Sequence, residues 1–452
     1  MLLAVDRASS EIVLVSENAV RLLGRPLADA GSPTLVDAVA AGGVADPFAV
    51  VFDGDPREAV LHPLGGLVVV ELEPASAALE YARTSVVPAI QRLAALRDRD
   101  ELRAAAAEEV RAITGFDRVM LYRFHEDGHG EVVADARADD MPPYLGLHFP
   151  ASDIPSQARE LYCTKLSRAI LSTGDPGLVL VATDPALAAG IDLSHAELRA
   201  VSPHHLEFMR NMGQASTVSL SMVRGDRLGG MITLAHRTER RLPVLLRRAL
   251  EVLATQVQLQ LDAIDRIAEL SRALDVRSRR SRLLAPMFGG RDAAAALLDD
   301  EVTVLDLVPA DGVIVRVGGE VRAAGRVPVG DPAALVSAAP GAPYATDAVA
   351  VDRPELARLM PGFAGLVVAP LGEDDRLVFL RREVAQTVRW LGDQSPANRR
   401  TPLSPRSSFS AWKQAVSGRS LPWGVVVAEV ADLARELADA LERRSSARLA
   451  EL

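Results

Sequence analysis

The chain has 452 residues, 49% of them hydrophobic and 24% charged, which is an ordinary globular composition. At roughly 150 residues per domain, the length predicts about three domains. Sixty acidic residues against 50 Lys and Arg give a net charge of −10, which argues against a broad basic surface for nucleic acid. The single cysteine excludes an internal disulfide framework and a multi-cysteine zinc site. With no apolar run of about 18 residues and no signal sequence, we expect a cytoplasmic protein without a membrane partner.

The first 85 residues are rich in predicted strands. The β-branched runs 12–15 and 67–70 predict strands, and residues 17–24 between them read as one helix ended by a glycine. Apolar residues at helical spacing then predict a long helical segment from about Ala77 to Thr114.

The middle of the chain contains seven of the eight histidines, between His125 and His236. It opens with a predicted strand, 118–124, and a Gly-containing turn, 125–130, followed by further strands at 217–223 and 230–234. A helical pattern then continues from Pro243 to about Leu284. A helix of about 40 residues is roughly 60 Å long, so we expect it to connect domains and to contribute to a dimer interface.

The last region alternates predicted strands and helices from about Ala285 to Val388. All three tryptophans of the chain then fall between Trp390 and Trp423, in a Pro-, Ser- and Arg-rich stretch with little periodicity. A long insertion of this kind is usually functional, and its aromatic residues argue against disorder. A helix with an apolar stripe is predicted from Val426 to about Leu452.

Enzyme and metal signatures are weak in this sequence. The letters from His125 to His129 match HExxH, but that motif needs a helix, and here Asp127-Gly128 reads as a hairpin turn. We therefore favour solvated or structural histidines over a metal site. Cys163 lies in a helical context without the partners of a catalytic thiol, and Gly289-Gly290 lacks the phosphate-loop spacing. We expect no catalytic residues and no metal.

One group of residues does predict a ligand pocket. Asp153 and Ile154 lie in a stiff segment between two prolines, Phe149-Pro150-Ala151-Ser152-Asp153-Ile154-Pro155. Arginines, hydroxyls and aromatic rings that converge on one cavity would suit a large, flat dicarboxylate, although ordinary core packing is the alternative interpretation. The candidates are Arg168, Arg199, Ser202, Thr217, Ser219, Tyr122, Phe149, Tyr162 and Phe208.

These segments resemble the phytochrome family, and bacterial phytochromes most closely. The residues that carry the resemblance are 117–124 (DRVMLYRF), 150–155 (PASDIP), 198–205 (LRAVSPHH), 210–213 (RNMG) and, late in the chain, 405–409 (PRSSF). The resemblance implies an α+β fold of three mixed α/β sensory domains, whose antiparallel sheets are joined by long helices. These would be a PAS domain at 1–85, a bilin-binding GAF domain at 86–266 and a PHY domain at 267–452, with a tongue insertion at about 388–424 and a C-terminal output helix.

The resemblance also implies a role for each residue toward biliverdin IXα or a related linear tetrapyrrole. The Asp153 main-chain carbonyl would accept hydrogen bonds from pyrrole N–H groups, and its carboxylate would pair with Arg406 of the tongue, near Ser408. His205 would bond the pyrroles through water. Arg168 and Arg199 would hold one propionate, and Thr217 and Ser219 the other, with Ser202 nearby. The rotating ring would lie among Tyr122, Phe149, Tyr162 and Phe208.

The sequence departs from the family pattern at several positions. The position of the attachment cysteine of plant and cyanobacterial relatives is His204, and Cys163 lies at neither known attachment site. A second pocket histidine is replaced by Ala235, a tryptophan by Gly229 and a tyrosine by Phe208. The attachment cysteine that precedes the PAS domain in bacterial phytochromes has no counterpart after Met1. A chain that starts there should lack the family's knot, whereas a longer natural protein would supply both.

Two functions follow from these observations. The first is a non-enzymatic red/far-red photoreceptor module that binds biliverdin non-covalently and relays a signal through the helices of a homodimer. Its target would be an output domain or response regulator outside this chain. The alternative is a chromophore-free degenerate phytochrome that acts as a dimeric signalling scaffold.

Overall fold

The computed structural model describes residues 1–43, 46–175, 177–288, 292–384, 386–392 and 411–451. The chain divides into two compact units. The first comprises Met1–Asp265 with Arg389–Trp412, and the second comprises Arg266–Val388 with Lys413–Leu452.

Residues 1–284 form twelve strands and seven α-helices among the described residues. In chain order they are β1 (Leu2–Asp6), β2 (Ile12–Ser16), α1 (Pro33–Ala40), β3 (Phe48–Phe52), β4 (Asp55–Leu64), β5 (Leu67–Pro74), α2 (Ala78–Ala94), α3 (Arg99–Thr114), β6 (Arg118–Phe124), β7 (Gly130–Arg137), β8 (His148–Phe149), α4 (Ser156–Thr164), β9 (Ser167–Ile170), β10 (Leu180–Ala182), α5 (Pro185–Gly190), α6 (Pro203–Asn211), β11 (Ser216–Arg224), β12 (Arg227–His236) and α7 (Val244–Leu284). Short 3-10 helices lie at Glu17–Leu22, Leu27–Asp29 and Ala151–Asp153.

The first unit contains two antiparallel sheets. The N-terminal sheet has the order β10-β2-β1-β5-β4-β3, so a strand from residues 180–182 closes one edge of a sheet otherwise built from the first 74 residues. The second, central sheet contains the neighbouring strands β8-β7-β6-β12-β11-β9 in that order. One face of the central sheet packs on α2, α3 and the first part of α7, through a buried cluster that includes Val119, Leu121 and Ile232. The opposite face is therefore left for the site described below.

The remaining elements belong largely to the second unit. They are a 3-10 helix (Ala285–Phe288), α8 (Ala293–Leu298), α9 (Val304–Leu307), β13 (Gly312–Val317), β14 (Glu320–Gly325), α10 (Pro332–Ala338), β15 (Tyr344–Thr346), α11 (Val349–Asp352), α12 (Pro354–Ala357), β16 (Phe363–Pro370), β17 (Arg376–Arg382), β18 (Gln386–Leu391), β19 (Ala411–Val416) and α13 (Val426–Glu451). The sheet of the second unit has the order β14-β13-β17-β16-β15. Trp423 is buried in this unit, where its indole N–H donates to the Thr346 carbonyl at 2.9 Å and Arg381 covers its ring.

The fold class predicted from the sequence is confirmed, since mixed helices alternate with antiparallel sheets and long helices follow the sheets. The predicted helix from Pro243 to Leu284 is observed as α7, and the C-terminal helix as α13.

Two details of the predicted elements were wrong. The segment from Ala77 to Thr114 is two helices, because the Asp98 carboxylate accepts from the amides of Asp100 and Glu101 and so begins a new helix after α2. Residues 17–22 form a 3-10 helix with a kink at Ala19, not the one continuous helix predicted for residues 17–24. The stretch from Trp390 to Trp423 showed little periodicity in the sequence, and in the structure Trp390 lies in β18 and residues 411–416 form β19. Backbone pairing of this kind requires no side-chain periodicity.

Candidate functional site

A cavity of about 670 Å³ lies against the open face of the central sheet in the first unit. Its volume is within the roughly 300–1,000 Å³ of pockets that enclose small-molecule ligands. All the residues predicted from the sequence to bind a ligand in this unit line the cavity. They are Tyr122, Phe149, Asp153, Ile154, Tyr162, Arg168, Arg199, Ser202, His205, Phe208, Thr217 and Ser219.

Strand register explains why distant residues share this wall. Arg168 of β9 pairs with Ser219 of β11, which pairs with Thr233 of β12, which in turn pairs with Met120 of β6. Residues paired side by side in a sheet project to the same face, so these four side chains form one row across the wall. Two residues along, the next row on the same face comprises Ile170, Thr217 and Ala235.

Two arginines give one end of the cavity a positive charge. Arg168 donates hydrogen bonds to the main-chain carbonyls of Arg199 and Ala200, at 2.5 and 3.1 Å. Burial and the neighbouring Arg199 charge lower the pKa of Arg168 to about 10, so it stays protonated at neutral pH. The Nε atom of Arg199 is buried and has no hydrogen-bond partner among the described residues. A buried guanidinium N–H without an acceptor favours an anionic ligand at this point.

Carboxylates near these arginines already have other partners. Glu197, two residues before Arg199, accepts from Lys165 at 2.6 Å and from Arg247 at 2.8 Å. Burial alone would raise the pKa of Glu197, but the charges of Arg247, Lys165 and Arg248 outweigh burial and bring it to about 2. Glu197 therefore neutralises Lys165 in the cavity wall, and its carboxylate is also paired with Arg247 and Arg248.

Aromatic and hydroxyl groups line the rest of the cavity. The rings of Tyr122 and Phe149 are tilted against each other with centroids 4.9 Å apart. Burial raises the pKa of Tyr162, and the hydrogen bond between its side chain and Ser219 opposes that rise. The neutral phenol thus links α4 to the polar row on β11. This combination of apolar walls and a few fixed polar groups is typical of a site for an extended organic molecule.

His205 lies in the first turn of α6, which begins at Pro203 after Ser202. Its ring stacks on Phe208, with centroids 6.2 Å apart. Burial and the nearby Arg168 charge lower the pKa of His205 below its usual value, so the imidazole is neutral at pH 7. A neutral imidazole both donates and accepts hydrogen bonds, which suits contact with a ligand carrying N–H and carbonyl groups.

The segment that carries Asp153 is held by its neighbours. Residues Ala151–Asp153 form a 3-10 turn after Pro150, and the Asp153 amide donates to the Pro150 carbonyl at 3.0 Å. Arg159 of α4 donates to the carbonyls of Ile154 and Gly128, at 3.1 and 3.0 Å. One guanidinium therefore ties the floor of the cavity to the turn between β6 and β7.

Sequence reasoning missed some lining residues that the register identifies. Thr233 has a buried hydroxyl without a hydrogen-bond partner among the described residues, and it lies directly beside Ser219. Met120 and Met231 complete the apolar wall, and Lys165 contributes a paired cation. Alternation along β6 and β12 was a signal that could have identified the first three.

The other residues singled out in the sequence lie in different places relative to the cavity or outside the described residues. Arg406 and Ser408 lie outside the described residues, so their roles remain predictions. Cys163 is half-buried beside the apolar cluster around Tyr122, and it is not among the described residues that line the cavity. Ala235, which the resemblance places at the position of a second pocket histidine, does line it. His204 is exposed at its edge.

The turn that carries the HExxH letters is a hairpin turn, as the sequence indicated. It connects β6 to β7, and Gly128 has a φ of +85°, which glycine adopts without strain. His125 and His129 are nonetheless neighbours, because the turn stacks their rings with centroids 4.1 Å apart.

Within the described part of the chain, no helix is both long and apolar enough to cross a lipid bilayer.

Two family models match the chain. The GAF domain matches residues 98–261, and the phytochrome region matches residues 276–446. A bacteriophytochrome of Xanthomonas campestris is 32% identical over 98% of this chain and 76% of its own length. Cyanobacterial phytochrome B of Nostoc is 35% identical over 72% of this chain, and the matched region is 45% of that relative. The chain thus covers about half or less of the length of some of its relatives.

Solved structures agree with these matches. A bacteriophytochrome from the photosynthetic bacterium R. palustris superimposes with a TM-score of 0.83 and 33% identity, over 98% of this chain and 96% of that one. The photosensory core module of the Stigmatella aurantiaca phytochrome gives a TM-score of 0.78 at 32% identity, over 98% and 94% of the two chains. From the sequence, the fold and these matches, the chain belongs to the phytochrome family and is a phytochrome photosensory module.

Proposed function

We propose that this module senses red and far-red light through a biliverdin held in the cavity of the first unit. The observation that carries the proposal is the buried Arg199 Nε, which has no acceptor among the described residues, at one end of a cavity of about 670 Å³ lined mostly by apolar groups. A linear tetrapyrrole is long and apolar and bears two propionates, so it matches both the walls and the charged end.

The proposed contacts follow the positions of the lining residues. One propionate binds Arg199, with Arg168 fixing the backbone around it, and the other binds the hydroxyls of Thr217 and Ser219, with Ser202 nearby. The Asp153 carbonyl accepts from pyrrole N–H groups, with Ile154 beside it, and neutral His205 bonds the same region through water. Tyr122, Phe149, Tyr162 and Phe208 surround the ring that rotates.

We propose non-covalent binding within this chain. The sequence has one cysteine, Cys163, and it is not among the described residues that line the cavity. Burial also raises the pKa of the Cys163 thiol, which disfavours the thiolate that a thioether linkage would need. Propionate contacts, hydrogen bonds and apolar burial would then provide the affinity without a covalent bond.

We also propose that signalling proceeds through a homodimer formed along α7. Exposed apolar side chains on this helix fall within about 80° of one face at 3.6 residues per turn. They are Val252, Leu259, Ile267, Leu270 and Leu274, each more than half exposed. The domain limits 1–85, 86–266 and 267–452, the tongue pair of Asp153 with Arg406, the output partner and the cytoplasmic location remain predictions from the sequence.

The experiment is expression with a biliverdin source, followed by absorption spectra before and after red light. A red-absorbing band that changes on illumination supports the proposal, and release of the pigment on denaturation supports non-covalent binding. Asp153→Ala should keep the pigment but lose photoconversion, whereas the exposed control Asp139→Ala should behave like the parent.

A colourless protein would instead support the second candidate, a chromophore-free dimeric scaffold. The specific observation in its favour is that Ala235 places a methyl group in the cavity wall where the family has a histidine.

A further inference from the structure

Three histidines outside the cavity converge at one corner of the first unit. His125 and His129 come from the turn between β6 and β7, and His148 comes from β8, which pairs with β7. One side-chain nitrogen from each lies within 4.8 Å of the others, and all three side chains are half-buried. The ring centroids of His129 and His148 are 5.1 Å apart.

The hydrogen bonds of these three imidazoles are compatible with metal binding. The Nδ1 atom of His148 is buried and has no hydrogen-bond partner among the described residues. His129 Nδ1 contacts the Asp127 carboxylate, and His125 Nε2 lies 3.0 Å from the Glu131 carboxylate. A carboxylate bound to one imidazole nitrogen fixes the tautomer and leaves a lone pair on the other, which is the usual arrangement behind a metal-binding histidine.

The charges around the cluster do not oppose a cation. Arg123 lies 3.4 Å from His125 Nε2, but it is paired with Glu131. Asp127 adds a second carboxylate in contact with His129. Two carboxylates, Glu131 and Asp127, thus contact the cluster directly. Arg123 is paired with Glu131, and Arg159, which reaches the same turn, donates to the Gly128 carbonyl.

We propose that His125, His129 and His148 form a binding site for a divalent transition-metal ion of the zinc and nickel class. Neutral imidazoles are preferred ligands for these ions, and three of them leave one position for water. Metal–nitrogen bonds of about 2.0–2.1 Å place tetrahedral ligands roughly 3.3 Å apart, so the three nitrogens must approach by up to about 1.5 Å. His125 and His129 belong to a turn, where such rotations need no change in the sheet.

The position of this site gives it a spectroscopic reporter. Trp390 of β18 pairs with His148, and its ring centroid lies 5.9 Å from the rings of both His129 and His148. All of these residues belong to the first unit. A paramagnetic ion held by the histidines would lie close to this indole. Bound metal would also fix the turn to β8, beside Trp390 near the start of the predicted tongue.

The test is a titration of the tag-free full chain, expressed without a biliverdin source because linear tetrapyrroles bind Zn²⁺ themselves. Isothermal titration calorimetry with Zn²⁺ should show one site with a dissociation constant in the micromolar range or below. His148→Ala and His129→Asn should each weaken it at least tenfold. The exposed control His195→Ala should leave it unchanged. Thermal melts of each variant confirm that it is folded.

Fluorescence provides the second measurement. Ni²⁺ should quench part of the tryptophan emission, and that part should be missing from Trp390→Phe. Zinc binding that survives in both His129→Asn and His148→Ala, or nickel quenching that persists in Trp390→Phe, would overturn the assignment. Because the protein for both measurements is expressed without a biliverdin source, either result is independent of biliverdin binding.

Discussion

Arg168 donates a hydrogen bond from Nη2 to the main-chain carbonyl of Arg199, 2.5 Å away, so that one guanidinium fixes the backbone that presents the other. The two guanidinium groups differ in whether their N–H donors already have acceptors. Arg168 is engaged with backbone carbonyls, whereas the buried Nε of Arg199 has no described acceptor. We infer that Arg199 contacts the ligand carboxylate and that Arg168 mainly positions it.

The first prediction is that Arg199→Ala weakens biliverdin binding about 10- to 100-fold with little change in the stability of the pigment-free protein. Hydrogen bonds to charged groups contribute about 1.5–3 kcal/mol, which corresponds to that range. Titration of the pigment-free protein with biliverdin, followed by absorbance, measures the affinity.

Two further variants separate binding from positioning. Arg168→Ala should lower both the affinity and the free energy of unfolding, because it removes hydrogen bonds of the folded backbone. Arg83→Ala, which removes an exposed ion pair with Glu80, should change neither. Full affinity in Arg199→Ala would contradict the assignment.

The second prediction concerns the Thr233 hydroxyl, which is buried without a described partner. In the pigment-free protein, Thr233→Val should be neutral or stabilising by up to about 1 kcal/mol, because it removes an unsatisfied polar group without changing the volume. In the same variant, biliverdin affinity should fall several-fold if this hydroxyl bonds the ligand. Urea unfolding and absorbance titration measure the two effects.

Thr114→Val is the matched control for Thr233. The Thr114 hydroxyl is also buried, but it donates to the Val110 carbonyl at 2.7 Å, so its removal should destabilise the protein by about 1 kcal/mol. If both variants lose equal stability, the Thr233 hydroxyl has a partner in solution.

Much of the site could be predicted because its residues lie in motifs. The PASDIP segment identified Asp153, and the resemblance to phytochromes assigned a role to the hydroxyls of Thr217 and Ser219 on β11. Alternation along β12 could have placed Thr233 on the same face as Met231, but the strand register that sets it beside Ser219 is not visible in the sequence. The break between α2 and α3 was missed because charged residues such as those around Asp98 are found inside helices as well as at helix N-caps. The cluster of His125, His129 and His148 could not be predicted, because only the pairing of β7 with β8 brings His148 beside the turn.

The third prediction is a pH dependence of stability that arises from Glu197. The pKa of Glu197 is lowered from 4.5 to about 2, so the folded state releases this proton more readily than the unfolded state. Its contribution to stability is therefore complete above about pH 4.5 and is lost as the pH falls toward 2. The shift corresponds to a contribution on the order of 3 kcal/mol.

Glu197→Gln should lower the free energy of unfolding by roughly 3 kcal/mol at pH 7, since it leaves Lys165 and Arg247 without a buried counter-charge. The difference from the parent should shrink between pH 4.5 and 3 in urea unfolding. Glu80→Gln, at an exposed ion pair, should show no such difference. A constant difference across this range would mean that Glu197 titrates normally in the folded protein.

The fourth prediction tests the apolar face of α7 as a dimer interface. Ile267→Glu places a charge in the middle of the exposed stripe, where burial against a second copy would cost several kcal/mol without a partner. We expect a shift from dimer to monomer in sedimentation velocity at micromolar concentration. Ala268→Glu adds the same charge one residue later, about 100° around the helix, and should leave the dimer intact. If both variants sediment like the parent, the chains associate through another surface, and the stripe on α7 is not the route by which the proposed signal passes between subunits.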